Sequence, residues 1–202
     1  LCRGLVELSI GSLTLTNLEV TNVNILELSL IKVNNGAGIV NINGSKFENI
    51  ERVGSNGKGS IIKQDGGTLL FTRGQITSVT IESGNMIQIS SGTTTLNSFS
   101  ANGITLNGGS LISYSSSGNL NIDGCTFANI TKTITNGNGG VISGTLTSTS
   151  GSILITGSAS TFTSCTVPND SGLGGAIYLD IQTDGELKYD LTDKFLTFHI
   201  NQ

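Results

Sequence analysis

The sequence predicts an all-β chain wound as a right-handed, single-stranded parallel β-helix, with about six to seven coils, three short strands to a coil, and residues 1–202 forming a single segment. Three observations predict it: a repeat of 25 to 34 residues, apolar residues alternating with period two inside each repeat, and no window with helical spacing between the strands. The composition agrees. There are 28 Gly, one Pro, no Trp and 12% charged residues, so Ser, Thr and Asn must cover most of the surface, which suits strands joined by tight turns.

The repeat is anchored at Gly11, Gly38, Gly67, Gly92, Gly118, Gly151 and Gly185, at intervals of 27, 29, 25, 26, 33 and 34 residues. Two residues after each anchor stand Leu13, Val40, Leu69, Thr94, Leu120, Ile153 and Leu187; two further on stand Leu15, Ile42, Phe71, Leu96, Ile122, Ile155 and Tyr189. That is a strand with one face buried. A second strand carries the pairs Val20/Val23, Phe47/Ile50, Ile76/Val79, Ala101/Ile104, Phe127/Ile130 and Phe162/Cys165. Within each pair lies Asn22, Asn49, Ser78, Gly103, Asn129 or Ser164, residue types that tolerate a left-handed bend, so a turn column is expected, with an Asn-type ladder along it. A third strand carries Leu30-Ile31, Ile61-Ile62, Met86-Ile87, Leu111-Ile112, Val141-Ile142 and Ala176-Ile177. Coils of this kind bond their backbones to the coils above and below at about 4.8 Å and pile aliphatic side chains into internal columns. Right-handedness follows from strand twist and the bias of parallel crossovers.

The corner between the second and third strands comes in two lengths. From the last core residue of one strand to the first of the next is 7 residues at Val23–Leu30, Val79–Met86 and Ile104–Leu111, but 11 in the three coils that begin with Phe47, Phe127 and Phe162. Four extra residues form a bulge there, and glycines return the chain to the third strand. A phosphate-cradling reading of these Gly-x-Gly runs fails because no helix follows. The three Phe rings are read as corner fillers, with Phe127 and Phe162 stacking where their coils adjoin. Gly4-Leu5-Val6 fits a third strand whose earlier coil is missing, and "FLTFHINQ" stops inside a unit, so the chain is expected to be a piece of a longer solenoid or a unit that stacks end to end.

Phe127-Ala128-Asn129 followed by Gly139-Gly140-Val141-Ile142, and Phe162 followed by Gly174-Gly175-Ala176-Ile177-Tyr178, resemble the passenger repeats of chlamydial polymorphic membrane proteins. They are also similar to the repeats of very large protist surface proteins of the pectin-lyase-like β-helix type. The resemblance covers three coils closely and the others in periodicity. It departs in placing Asn49 and Asn129 two residues after Phe, where that repeat usually has three. It implies an extracellular, cell-surface adhesive or structural role and brings no catalytic site with it.

The net charge of -4, with Lys and Arg scattered singly, offers no basic patch for nucleic acid. No apolar run is long enough to span a membrane. Cys2, Cys125 and Cys165 have no metal-ligand spacing, and no cofactor is implied. Enzymes on this fold pair carboxylates in one groove. Asp123 follows the first strand of its coil, but the equivalent positions in neighbouring coils are Asn97 and Thr156, so no carboxylate pair forms there. A late cluster, Asp170, Asp180, Asp184, Glu186, Asp190 and Asp193, reads either as a calcium or substrate site or as a solvated acidic face; its irregular spacing favours the face. His199 alternates with Phe198 and Ile200 in a strand, which makes it structural. Tyr114 and Tyr178 are placed in core or edge packing.

The expected function is therefore a non-enzymatic structural or adhesive solenoid. Its expected partners are other solenoid segments or copies of itself, or surface glycans and cell-surface proteins. The contact residues expected on its loops are Asn56, Lys58, Asn136, Asn138, Asn169 and Asp170, and candidate glycosylation sites are Asn43, Asn129 and Asn169. The alternatives are a polysaccharide lyase, hydrolase or binding module and, more remotely, an ice-binding face built around Thr93-Thr94-Thr95.

Overall fold

In the computed structural model, residues 4–26, 28–53, 60–133, 137–146, 151–168, 172–182, 189–190 and 196–199 are described, with Ser116 and the last two stretches given by backbone alone. No helix occurs among them, and the strands form a parallel β-solenoid. Its first face stacks β2 (Ser12–Thr16), β5 (Ile39–Asn43), β8 (Thr68–Thr72), the second halves of β10 (Ile87–Asn97) and β12 (Ile112–Asp123), β15 (Ser152–Ile155) and β18 (Tyr189–Asp190). The second face stacks β3 (Glu19–Ile25), β6 (Lys46–Arg52), β9 (Gln75–Ile81), β11 (Ser100–Leu106), β13 (Thr126–Lys132), β16 (Ser160–Thr166) and β19 (Leu196–His199). The third takes β1 (Val6–Leu8), β4 (Ile31–Val33), β7 (Ile62–Gln64), the first halves of β10 and β12, β14 (Ile142–Leu146) and β17 (Ile177–Ile181). All pairings are parallel. About five turns are bonded on both sides, fewer than the six to seven expected, because strands in the terminal windings have a neighbour on one side only.

The expected columns are vertical. Leu13, Val40, Leu69, Thr94, Leu120 and Ile153 are successive register partners on the first face. Ile31, Ile62, Ile87, Ile112, Ile142 and Ile177 form an isoleucine ladder on the third. The last rung differs from expectation: Tyr189, not Leu187, stands opposite Ile153. A shift of two residues keeps every side chain on the same face, so alternation cannot detect it. Leu187 lies outside the described residues.

The turn column on the second face is present at every expected position. Asn22, Asn49, Ser78, Gly103, Asn129 and Ser164 all have φ between 51° and 66°. The bend puts two inward residues three apart, which is why Val20/Val23 and their equivalents break the period of two. The Asn ladder along it is one rung long, Asn49 Nδ2 donating to Asn22 Oδ1 at 3.3 Å; Ser78 and Gly103 lack the amide to continue it, and Asn129 turns instead to Asn102 Oδ1 at 2.8 Å. A second left-handed column, not anticipated, runs up the corner between the first and second faces at Asn17, Gly44, Arg73, Ser98, Gly124 and Gly157.

Five phenylalanines form a continuous spine inside. Phe47–Phe71, Phe71–Phe99, Phe99–Phe127 and Phe127–Phe162 have ring centroids 5.9, 5.0, 6.1 and 4.9 Å apart, the last pair stacked at 19°. The expected Phe127–Phe162 contact is its top. Phe71 and Phe99 enter from the first strand and the corner, positions that the repeat of Phe47, Phe127 and Phe162 does not mark. Gly74 makes room: a Cβ there would lie 1.8 Å from the Phe71 ring.

Candidate functional site: the long-loop corner

The second-face strands do not stop at the residues Val23, Ile50, Val79, Ile104 and Ile130. Each goes on two residues to a third inward position, occupied by Ile25, Arg52, Ile81, Leu106 and Lys132, which the register aligns in one column. Where the following corner is short the residue is aliphatic. Where the corner is long, in the β6–β7 and β13–β14 connections, it is a cation, and it is buried: Arg52 is 0% and Lys132 6% exposed.

Both cations are held by corner oxygens of the backbone. Lys132 Nζ donates to the Asn138 carbonyl at 2.8 Å and to Ser110 Oγ at 3.4 Å, while Ser110 Oγ itself donates to the Gly139 carbonyl at 2.6 Å. Arg52 Nη1 donates to the carbonyl and hydroxyl of Ser83, in the corner of the winding above. Burial pulls the Lys132 ammonium below the ordinary lysine range. It pulls Arg52 down too, against the opposing pull of the Glu82 carboxylate. A buried cation is tolerated only when its donors are used, and here backbone and hydroxyl oxygens accept them.

The third long corner, between β16 and β17, has Val167 at the offset where the others have Arg52 and Lys132. It lies over the corner below through backbone bonds: Gly139 N to Leu173 O at 2.9 Å and Gly140 N to Gly175 O at 3.1 Å, with Leu173 N donating to Asn138 Oδ1 at 3.1 Å. The recurring Gly-Gly before the third strand has a steric cause. Gly139 and Gly174 have φ of 61° and 63°, and a Cβ would come within 2.2 and 2.1 Å of the carbonyl oxygens of Ile142 and Ile177.

Of the expected contact residues, Asn138 is part-buried and committed to these bonds through its carbonyl and its side-chain oxygen. Asn56, Lys58, Asn136, Asn169 and Asp170 lie outside the described residues. So do Asp184, Glu186 and Asp193; Asp190 and His199 are given by backbone alone, and Asp180 is exposed on β17. Among the described residues no three His, Cys, Asp or Glu side chains come together as a metal site. Asp123 is part of a corner: its Oδ1 accepts from Ser158 N at 2.7 Å, and Asn97 Nδ2 reaches its Oδ2 at 3.5 Å. Asn129 is exposed on the second face. Asn43 is half-buried with Oδ1 accepting from Arg73 at 2.9 Å, and the hydroxyl of its sequon Ser45 is turned inward to accept from Leu18 N.

Thr93 and Thr95 face outward and accept from Asn119 and Asn121 at 3.5 and 3.4 Å. Thr94 faces inward and is buried, donating to Gln64 Oε1, while Gln64 Nε2 donates to the carbonyls of Gly67 and Thr93. Tyr114 is in the core, its hydroxyl donating to Gly118 O at 2.8 Å; Tyr178 is half-buried at an outward register position beside Ser143. Sequence reasoning missed the Arg52 and Lys132 column, although a count of two residues past each core pair, with aliphatic residues in three of five coils, marks it.

Compared with protein-family models, curated proteins and solved structures, the chain gives no match.

Proposed function

We propose that this chain is a non-enzymatic extracellular solenoid with a structural or adhesive role, like the surface repeats it resembles, and that it works by stacking on further windings and presenting its long corners to partners. The observation that supports this best is the lowest winding. Among the described residues, β1, β2 and β3 each pair on one side only, leaving three in-register strand edges. Beside them Leu5, Ile10, Leu26 and Leu28 are exposed, and a shallow cavity of about 240 Å³ is lined by Leu5, Val6, Glu7, Leu28 and Lys32. Unpaired edges with apolar neighbours invite another strand, and the same pairing that joins winding to winding inside the molecule would continue there. The occupant is another winding of the same repeat, from a second copy or from the remainder of a longer chain.

The experiment is sedimentation combined with electron microscopy. End-to-end oligomers or filaments that Leu28→Lys dissolves support the reading; a monodisperse monomer at all concentrations removes the stacking half of it. The adhesive half is tested on immobilised glycans and cell-surface extracts, with residues 134–136 replaced by Ser-Gly-Ser. Unsaturated products released from uronic-acid polymers would instead assign a lyase.

A further inference from the structure

We propose that Arg52 and Lys132 are internal staples: buried cations that hold the corners of adjacent windings to one another from inside, and so fix the feet of the β6–β7 and β13–β14 corners. The inference about presentation rests on the contact role given to those corners above; the stapling itself does not.

The pattern carries the argument. In one inward column, a cation replaces an aliphatic residue in two of the three windings whose corner is four residues longer, the third having Val167, and in none of the three short ones for which the register is given. An aliphatic residue suffices where a short corner keeps the chain close to the neighbouring winding. A longer corner lifts backbone carbonyls out of the regular ladder, and a buried carbonyl without a donor is costly. Lys and Arg are the side chains long enough to reach corner oxygens from a strand position, and they bring several donors each: Lys132 takes a carbonyl of its own long corner, Arg52 one in the short corner of the winding above.

Each cation joins two windings. Arg52 leaves β6 and reaches Ser83, after β9 in the next winding; Lys132 leaves β13 and takes Asn138 of its own corner together with Ser110 of the winding below. Ser110 closes the junction by donating its hydroxyl to the Gly139 carbonyl, while its amide donates to Asn85 Oδ1 at 2.8 Å, one winding lower still. The line Asn85–Ser110–Lys132–Asn138–Leu173 therefore crosses four windings through side chains at a single corner. Among the described residues, the ionisable side chains turned inward elsewhere, Tyr114, Cys125 and Cys165, make their hydrogen bonds with backbone carbonyls.

Amide hydrogen exchange resolved by residue tests this on the whole chain. In Lys132→Met, which keeps an unbranched apolar stem and removes the donors, the amides of Leu111, Gly139, Gly140 and Leu173 should lose protection by about tenfold to a hundredfold, the equivalent of losing one or two charge-assisted hydrogen bonds. The amides of Thr126 and Thr161, at the opposite corner of the same windings, should keep theirs. Lys132→Arg should restore protection at Gly139 and Gly140. Ser110→Ala should raise exchange at the same amides by a smaller factor, and serves if Lys132→Met does not fold. The proposal is overturned if Lys132→Met leaves the corner protected as in the parent chain, or if exchange rises equally at Thr126 and Thr161. Neither result would bear on end-to-end stacking, which is read by sedimentation.

Discussion

The windings built on β8 to β11 and those built on β5–β6 and β12–β13 share the same ladders, yet differ at the inward position before the corner. The former close their corners over Ile81 and Leu106; the latter open theirs and place Arg52 and Lys132 beneath. The lesson is that the interior supplies a donor at that level beside two of the three long corners, while the third, after Val167, is joined to the corner below by backbone bonds. The backbone has a fixed number of polar groups to satisfy, and a bulged corner spends some of its carbonyls away from the neighbouring winding.

The comparison breaks most sharply if the two kinds of position are exchanged. Leu106→Lys puts a cation under a short corner, and is expected to cost about 3–5 kcal/mol, the range for a buried charge lacking a partner; denaturant unfolding checks it, and a cost near zero would mean that the corners do not discriminate. Phe127→Ala, which cuts the aromatic spine between Phe99 and Phe162, should cost a similar 3–5 kcal/mol by leaving a cavity. Gly74→Ala belongs to a short-corner winding and tests crowding in place of donor supply. Its new methyl meets the Phe71 ring, and a loss of about 1–3 kcal/mol in thermal unfolding is expected.

Alkaline pH sharpens the comparison through groups that titrate inside. Burial pushes the Cys125 and Cys165 thiols up to about 11 and the Tyr114 phenol to about 12, from ordinary values of 9.0 and 10.0. The unfolded chain thus gives up these protons first, and their contribution to stability, complete below pH 9, is lost as pH rises towards 11 and 12. Lys132 acts in the opposite sense. Its lowered value means that the unfolded chain holds the extra proton up to the ordinary 10.5, so its contribution improves as pH rises through that window. Urea midpoints measured from pH 8 to 11.5 should fall, and should fall more steeply in Lys132→Met. The smallest effect expected is at the surface: Glu7→Gln removes the 3.0 Å contact with Lys32 and should change stability by less than about 1 kcal/mol.

Much of the fold was legible because a solenoid writes its geometry as spacing. The Ile31 to Ile177 ladder, the bend at Asn22 and its equivalents, and the two corner lengths could each be counted in the chain. The second left-handed column was harder, since Arg73 and Ser98 are not residues that announce a positive φ. The five-ring spine was harder still, since Phe71 and Phe99 belong to different columns from Phe127 and meet it only when the windings are superposed. The candidate site was legible as loop length alone. Arg52 and Lys132 are two of the singly scattered cations, and nothing local in the sequence distinguishes a cation that points outward from one that points in.

The sequence by itself determined the winding, its columns and the places where corners lengthen, because side-chain alternation and left-handed bends are properties of single strands. Only the tertiary structure decided that Tyr189 pairs with Ile153 and that two cations are buried beneath the long corners. A register shift by two leaves alternation unchanged, and the burial of a long charged side chain depends on whether the next winding offers oxygens to receive it.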